Sequence, residues 1–425
     1  MFNKSTIRNL LCLTKGNAFG LLLTLFTYPI ITRIYSEKEL GILSLITSFS
    51  TIFAILCTGS LEFALGSINE KKEITIIKHL LKYVFAFGTI ISCFLGLILI
   101  HYQLFGYGNL GTKYLPILIL STIIQAAFTL LRYYNLGINN FNAISKIPIL
   151  QHGTKCFFSI VLGFANFSVV GLVIAEQFSK AICIKKVLMP KSLNFLKSDT
   201  KKSINKFHLK KFANYPKYIM PSSLLNVAAM SLQVPIIVSC FGISVGGSFS
   251  IARAAFSMPL KIFGGSIADV VHRHFAVDVK NSVTHLRKHF LQTTLILASI
   301  SFPLSIISYL YISDIFIWIF GEKWKVSGDI AKVLTPWAMG QFVVGTMSRT
   351  LLVLKLRFIK LIYDFVSLSF TLLILYIGTN NSIDAVNTIG IYSSLLNFSY
   401  CLYFLLIYYA IIYEQKTREQ KVITA

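Results

Sequence analysis

The sequence predicts an all-α, polytopic membrane protein of twelve transmembrane helices, arranged as two pseudo-symmetric six-helix bundles. Three observations predict it. Apolar runs of about 18–25 residues recur along the 425-residue chain, each long enough at about 1.5 Å per residue to cross a hydrocarbon core of roughly 30 Å. Lysine and arginine gather on alternate connections between those runs. A few residues between 29 and 60 also recur between 235 and 266 at a constant offset. A hydrophobic fraction of 55%, a charged fraction of 13% and a mean hydropathy of +0.70 exclude an ordinary soluble domain.

Taken in order, the expected spans lie near residues 10–32, 41–65, 83–102, 114–133, 147–165, 168–184, 219–240, 246–270, 290–312, 331–353, 359–378 and 387–412. The first run, Leu10 to Ile31, is too long for the core of a cleaved leader and lacks a small-residue cleavage site, so it reads as a span. Connections holding Lys71 and Lys72, Arg132, Lys146 and Lys155, Arg287 and Lys288, Lys355 and Arg357, and Lys416 and Arg418 fall on one side. The other side offers only Arg33, Lys38, Lys113, Lys323 and Lys325. Positive charge stays in the cytoplasm, so this bias places both termini there, in a multi-pass inner-membrane protein.

Lys185–Lys217 carries ten lysines against one acid, Asp199, and reads as a solvated linker near anionic lipid. It divides the chain into an N-terminal bundle (1–184), a basic cytoplasmic linker (185–217) and a C-terminal bundle (218–425). A shift of 206 residues lays Pro29-Ile30-Ile31 on Pro235-Ile236-Ile237, Gly41 on Gly247, Ser44 on Ser250 and Gly59-Ser60 on Gly265-Ser266. Six spans separate the copies, so both enter the membrane in the same direction. That predicts a pseudo-twofold axis along the membrane normal and a central cavity between halves. Pro29 and Pro235, in matching first helices, are expected to bend them.

The formal charge of +24 follows topology and forms no single basic face, which argues against a nucleic-acid partner. Seven single cysteines form no CxxC or Cys/His cluster, so neither metal nor disulfide is expected. No GxxxxGK[ST] loop is present for nucleotide hydrolysis, and no cofactor is expected.

Ionisable residues inside spans cost about 2.5–3.5 kcal/mol each and so mark partners, water or function. Here they are Lys15, Glu62, Glu176, Lys180, Arg253, Lys261, Asp269 and Lys332, with Arg33 at an edge. Glu176 and Lys180, four residues apart, are expected to neutralise each other. At about 100° per residue, Arg253 and Lys261 share one helix face. Lys15, Arg33, Arg253 and Lys261 are therefore expected to line a hydrated cationic cavity suited to phosphate or acidic sugars.

At these residues the chain resembles a known family. Pro29-Ile-Ile-Thr-Arg33-Ile-Tyr35-Ser-Glu37-Lys-Glu39-Leu-Gly41, Leu61-Glu62-Phe63-Ala64, Tyr215-Pro216-Lys-Tyr218, Pro221-Ser222, Asn226, Phe241-Gly242, Arg253 and Pro259 are similar to motifs of Wzx-type lipid-linked oligosaccharide flippases. Those are polysaccharide transporters of the multidrug/oligosaccharidyl-lipid/polysaccharide exporter (MOP) superfamily. The resemblance covers nearly the whole chain. It implies a MATE/MOP-like fold and transport of an undecaprenyl-pyrophosphate-linked repeat unit (O-antigen of lipopolysaccharide, capsule or a related glycan) from the cytoplasmic to the periplasmic leaflet. Arg33, Arg253 and Lys15 would engage pyrophosphate or sugar, and Glu62, Asp269, Pro29 and Pro235 would serve gating or ion coupling. Membrane lipid, a coupling ion (H+ or Na+), a glycan polymerase and chain-length machinery are the implied partners. Where the family motif more often carries Arg-Tyr before its Glu, this chain has Gly59-Ser60-Leu61 before Glu62.

Two other classes stay open. A cation-coupled drug exporter of the same superfamily wants an acidic cavity, whereas the intramembrane balance here is basic. A glycan polymerase or ligase wants carboxylates or histidines on a large loop. The largest external loop offers only Asp314, Glu322 and Asp329, and His272, His274, His285 and His289 sit on a cytoplasmic connection. The chain is therefore expected not to be an enzyme.

Overall fold

A computed structural model describes residues 4–66, 71–189, 212–281, 283–354, 356–380 and 383–423. Most of the basic linker (190–211, including Asp199) lies outside the described residues. Among the described residues the secondary structure is helical throughout, with no strand. The backbone divides into two compact units, Met1–Gly247 and Ser248–Ala425.

The N-terminal unit begins with α1 (Lys4–Ile34), α2 (Glu37–Thr58), the short α3 (Leu61–Gly66), α4 (Lys71–His101), α5 (Leu115–Gly137), α6 (Phe141–Phe164) and α7 (Ser168–Cys183). It continues through α8 (Met220–Ser231) and α9 (Gln233–Phe241) into the start of α10 (Ile243–Pro259). Local chemistry sets these boundaries. Ser36 caps α2 in a reciprocal box: its hydroxyl accepts from the Glu39 N–H, and Glu39 Oε2 accepts from the Ser36 N–H at 2.7 Å. Gly59 ends α2 in the left-handed region, with φ 57°. α2 is the central helix, lined by buried residues such as Leu45, Ile46 and Phe49 and packed on α4, α5 and α8. α4 turns Tyr83, Phe87, Ile90, Phe94 and Leu97 outward, an apolar stripe at helical spacing that faces lipid. Glu37 opens α2 and Ile243 opens α10, a separation equal to the offset of the sequence repeat.

The C-terminal unit holds the rest of α10, then α11 (Gly265–Asn281), α12 (Val283–Phe320), α13 (Lys325–Gly340), α14 (Thr350–Val353), α15 (Arg357–Asn380) and α16 (Ala385–Ile423). Its core joins Phe275, Leu286, Phe290, Val343, Met347, Leu351, Tyr403 and Ile407. α13 packs between α12 and α16.

Each of the twelve expected spans falls on helix. Eight described helices are long and apolar enough to cross a membrane, and a ninth is available if the pair bent by 45° between Phe212–Ser231 and Gln233–Phe241 acts as one span. The other three expected spans fall short for visible reasons. α7 has 16 residues. The span expected at 246–270 is interrupted by a π turn (Leu260–Gly264) after Pro259, and that at 331–353 by another (Gln341–Gly345). These wide turns let a helix shift its face without ending.

One sequence expectation needs correction: Lys155, read as a cytoplasmic connection, lies inside α6, nine residues before its end. Of the two prolines expected to bend their helices, Pro235 is the third residue of α9, just past the 45° break, and Pro29 lies inside α1.

Candidate functional site

In the N-terminal unit, α1 packs on α6 more extensively than any other pair of helices. Gly16, Gly20, Thr24 and Tyr28 recur every four residues and so share one face of α1. A Cβ on Gly16 would stand 2.2 Å from the Ser145 carbonyl oxygen, and one on Gly20 would stand 2.8 Å from that of Pro148. Small residues at this spacing let two backbones approach within the membrane. One turn on, the Thr24 hydroxyl donates to the Gly20 carbonyl at 3.1 Å and stands 2.7 Å from Nδ1 of His152. Three residues on from His152, α6 carries Lys155. Its Nζ lies 2.7 Å from Glu176 Oε2 on α7, and Lys180 Nζ lies 2.9 Å from Oε1. Tyr28 of α1 is within electrostatic reach of Lys155 and Glu176. The expected Glu176–Lys180 pair is present, but a second lysine joins it, and two cations share one carboxylate.

Sequence reasoning found the Glu176–Lys180 pair and missed Lys155 and the α1 face beside it. The signal was the small-residue and polar stripe on α1, facing Ser145, His152 and Lys155 on α6.

In the C-terminal unit, Arg253 of α10 stands with its guanidinium 5.9 Å from the Trp337 ring of α13, and Tyr392 and Tyr400 of α16 are within electrostatic reach. The Trp337 N–H donates to Ser393 Oγ at 3.2 Å, and a Cβ on Gly340 would meet Asn397 and Tyr400 at 2.5 and 2.7 Å. α13 and α16 are thus closely joined where they present these rings to Arg253. The Tyr392 hydroxyl is 3.3 Å from Thr371 Oγ1.

The other candidate residues are divided between the two units. Lys261 is exposed, sits in the π turn after Pro259, and is within electrostatic reach of Arg253. Lys15 is exposed on α1, and Arg33 is exposed on its last turn, where a cation complements the helix C-terminus. Glu62 follows the left-handed pair Gly59 and Ser60, is buried, and has an Oε2 without a hydrogen bond among the described residues. Asp269 falls on α11, with its side chain outside the described set. Lys332 lies 5.0 Å from the Tyr309 ring. A cavity of about 260 Å³ within the C-terminal unit is walled mainly by Phe302, Ile306, Tyr309, Leu310 and Met339, and none of the expected site residues lines it.

Long apolar helices define a multi-pass membrane protein. The structure is similar to the lipid II flippase MurJ in its inward closed conformation, with a TM-score of 0.72 over 96% of this chain and 90% of that one at 14% identity. It is also similar to an inward-facing multidrug resistance MATE family transporter of the MOP superfamily, with a TM-score of 0.63 over 95% of both chains at 15% identity. Residues 30–329 match the family described as polysaccharide biosynthesis protein, and the chain belongs to that family. Teichuronic acid biosynthesis protein TuaB of Bacillus subtilis (strain 168) is 28% identical over 200 residues. That alignment covers 46% of this chain and 40% of TuaB, less than half the length of either.

Proposed function

We propose that the protein flips a polyprenyl-pyrophosphate-linked oligosaccharide repeat unit (an O-antigen, capsular or related glycan) from the cytoplasmic to the periplasmic leaflet. Transport proceeds by alternating access through a cationic central cavity. A polar glycan cannot cross hydrocarbon, whereas its polyprenyl tail is at home there, so the protein has to shelter only the head. The observation that carries this reading is Arg253, a guanidinium on α10 held beside Trp337 and the tyrosines of α16. Guanidinium suits pyrophosphate, and aromatic faces suit sugar rings. Membership of a polysaccharide biosynthesis family supports the glycan.

The reading carries further assignments. The bundles are 1–184 and 218–425, joined by the cytoplasmic linker 185–217, with both termini cytoplasmic in an inner membrane. Lys15, Arg33 and Lys261 guide the anionic head electrostatically from their exposed positions. Glu62 and Asp269 serve gating or coupling to H+ or Na+, and a glycan polymerase with chain-length machinery takes the product outside. The test is reconstitution with a fluorescent polyprenyl-pyrophosphate oligosaccharide: wild type is expected to expose it to an impermeant reagent on the opposite leaflet. Equal rates with wild type and with empty vesicles would overturn the proposal.

A further inference from the structure

We infer that Lys155, Glu176 and Lys180 form a second anion-binding subsite, at the meeting of α1, α6 and α7 inside the N-terminal unit, which takes a phosphate or carboxylate group of the cargo. The inference rests on the lipid-linked glycan reading and adds to it a site that the sequence left in a loop.

The charges do not balance within the cluster. Two ammonium groups stand 2.7 and 2.9 Å from one carboxylate, so the group carries a net positive charge. Its two lysines differ. The Lys180 side chain is 6% exposed and reaches Glu176 from four residues along the same helix, whereas the Lys155 side chain is 27% exposed and reaches across from another helix. Both lysines pair with Glu176, and Lys155 is the more accessible of the two cations.

Beside the cluster, Gln177 lies one turn before Lys180 and about 100° around α7 from Glu176; it is only 7% exposed, and neither of its side-chain amide atoms has a hydrogen-bond partner among the described residues. A buried amide left unsatisfied costs stability unless something polar visits it. His152 and Tyr28 extend the polar surface toward α1.

The location also fits. Lys155 is nine residues from the end of α6 and Glu176 eight from the start of α7, which places both about 12–14 Å along their helices from that end, near the middle of a 30 Å core. Transporter sites are built at that depth. Binding is an exchange: the incoming anion takes Lys155 from Glu176, Lys180 stays on the carboxylate, and no bond is made or broken covalently.

Inorganic pyrophosphate is the probe, with full-length protein in lipid nanodiscs. Two readouts are used: calorimetric affinity, and protection of Lys155 from an amine-reactive reagent measured by peptide mass spectrometry. Pyrophosphate is expected to slow Lys155 labelling in wild type at least fivefold, a result that needs no variant to fold. Lys155→Gln is expected to weaken pyrophosphate binding about tenfold, and Glu176→Gln, which removes the competing anion, to tighten it. Unprotected Lys155, or unchanged affinity in folded Lys155→Gln, overturns the subsite while leaving glycan transport standing. Protection of Lys155 in a protein that fails to flip the lipid-linked glycan would instead keep the subsite and remove the reading beneath it.

Discussion

Lys155 on α6 and Glu176 on α7 hold opposite charges 2.7 Å apart inside the spanning region, and Lys180 takes the other carboxylate oxygen at 2.9 Å. Because two cations share one anion, removing different members has unequal consequences. Glu176→Gln leaves two ammonium groups facing each other without compensation and is expected to cost about 3–5 kcal/mol. Lys155→Gln leaves the Lys180 pair intact and is expected to cost about 1 kcal/mol. Thermal unfolding in one detergent ranks the two, and equal losses would show that charge balance does not govern this cluster.

The α1–α6 contact depends on the absence of side chains at two positions. A methyl at Gly16 would stand 2.2 Å from a backbone oxygen, which has no flexible tip to yield. Gly16→Ala is expected to destabilise by about 1–3 kcal/mol, and Gly20→Leu by more. Gly153→Ala on α6, where nothing lies within 4 Å of an added Cβ, is the control and is expected to be silent. Detergent-solubilised yield and melting temperature measure all three.

Pro29 and Pro235 occupy equivalent places in the sequence repeat but different ones in the fold. Pro235 lies just past the 45° break, and Pro29 lies within α1. Pro235→Ala restores a backbone donor at the bend and is expected to slow transport several-fold. Pro29→Ala is expected to stay within twofold of wild type. Reconstituted transport rates separate them, and equal effects would tie function to the repeat rather than to the bend.

What the sequence made legible was whatever is local. Long apolar runs placed a helix at every expected span, and Gly59 and Ser36 mark the boundaries of α2 as their chemistry demands. Tertiary compensation was not legible. Gln151, His152 and Lys155 interrupt the apolar run of α6, and charge pattern alone puts Lys155 on a connection although the span expected at 147–165 contains it. The partner that makes Lys155 tolerable is Glu176, on the next helix. The π turn after Pro259 was equally hidden, because a helical wheel assumes an unbroken 100° step, yet Lys261 remains within electrostatic reach of Arg253 across it.

Orientation follows from charge and is open to a direct check. Reporters fused at Lys206, in the basic linker, and at Lys323, in the short turn Glu322–Trp324 before α13, are expected to report opposite sides, with Lys206 cytoplasmic. Both on one side would require an odd number of crossings removed or added between them.

Arg253 and Trp337 provide the sharpest test of the transport reading, because charge and ring can be varied separately. Arg253→Ala removes both the cation and its fork of donors, and export of surface glycan is expected to fall more than tenfold with protein levels unchanged. Arg253→Lys keeps the charge but loses bidentate contact, so partial activity is expected if charge alone matters and little if pyrophosphate is gripped by two parallel bonds. Trp337→Phe keeps an aromatic face under the guanidinium, whereas Trp337→Ala removes it. A cation–π contact is worth about 0.5–2 kcal/mol, which corresponds to roughly two- to thirtyfold in an equilibrium constant. Trp337→Ala is therefore expected to lower export within that range, and Trp337→Phe to retain most of it. Wild-type export from both Arg253→Ala and Trp337→Ala would mean that this pairing serves packing of the C-terminal unit and that the anion is handled elsewhere.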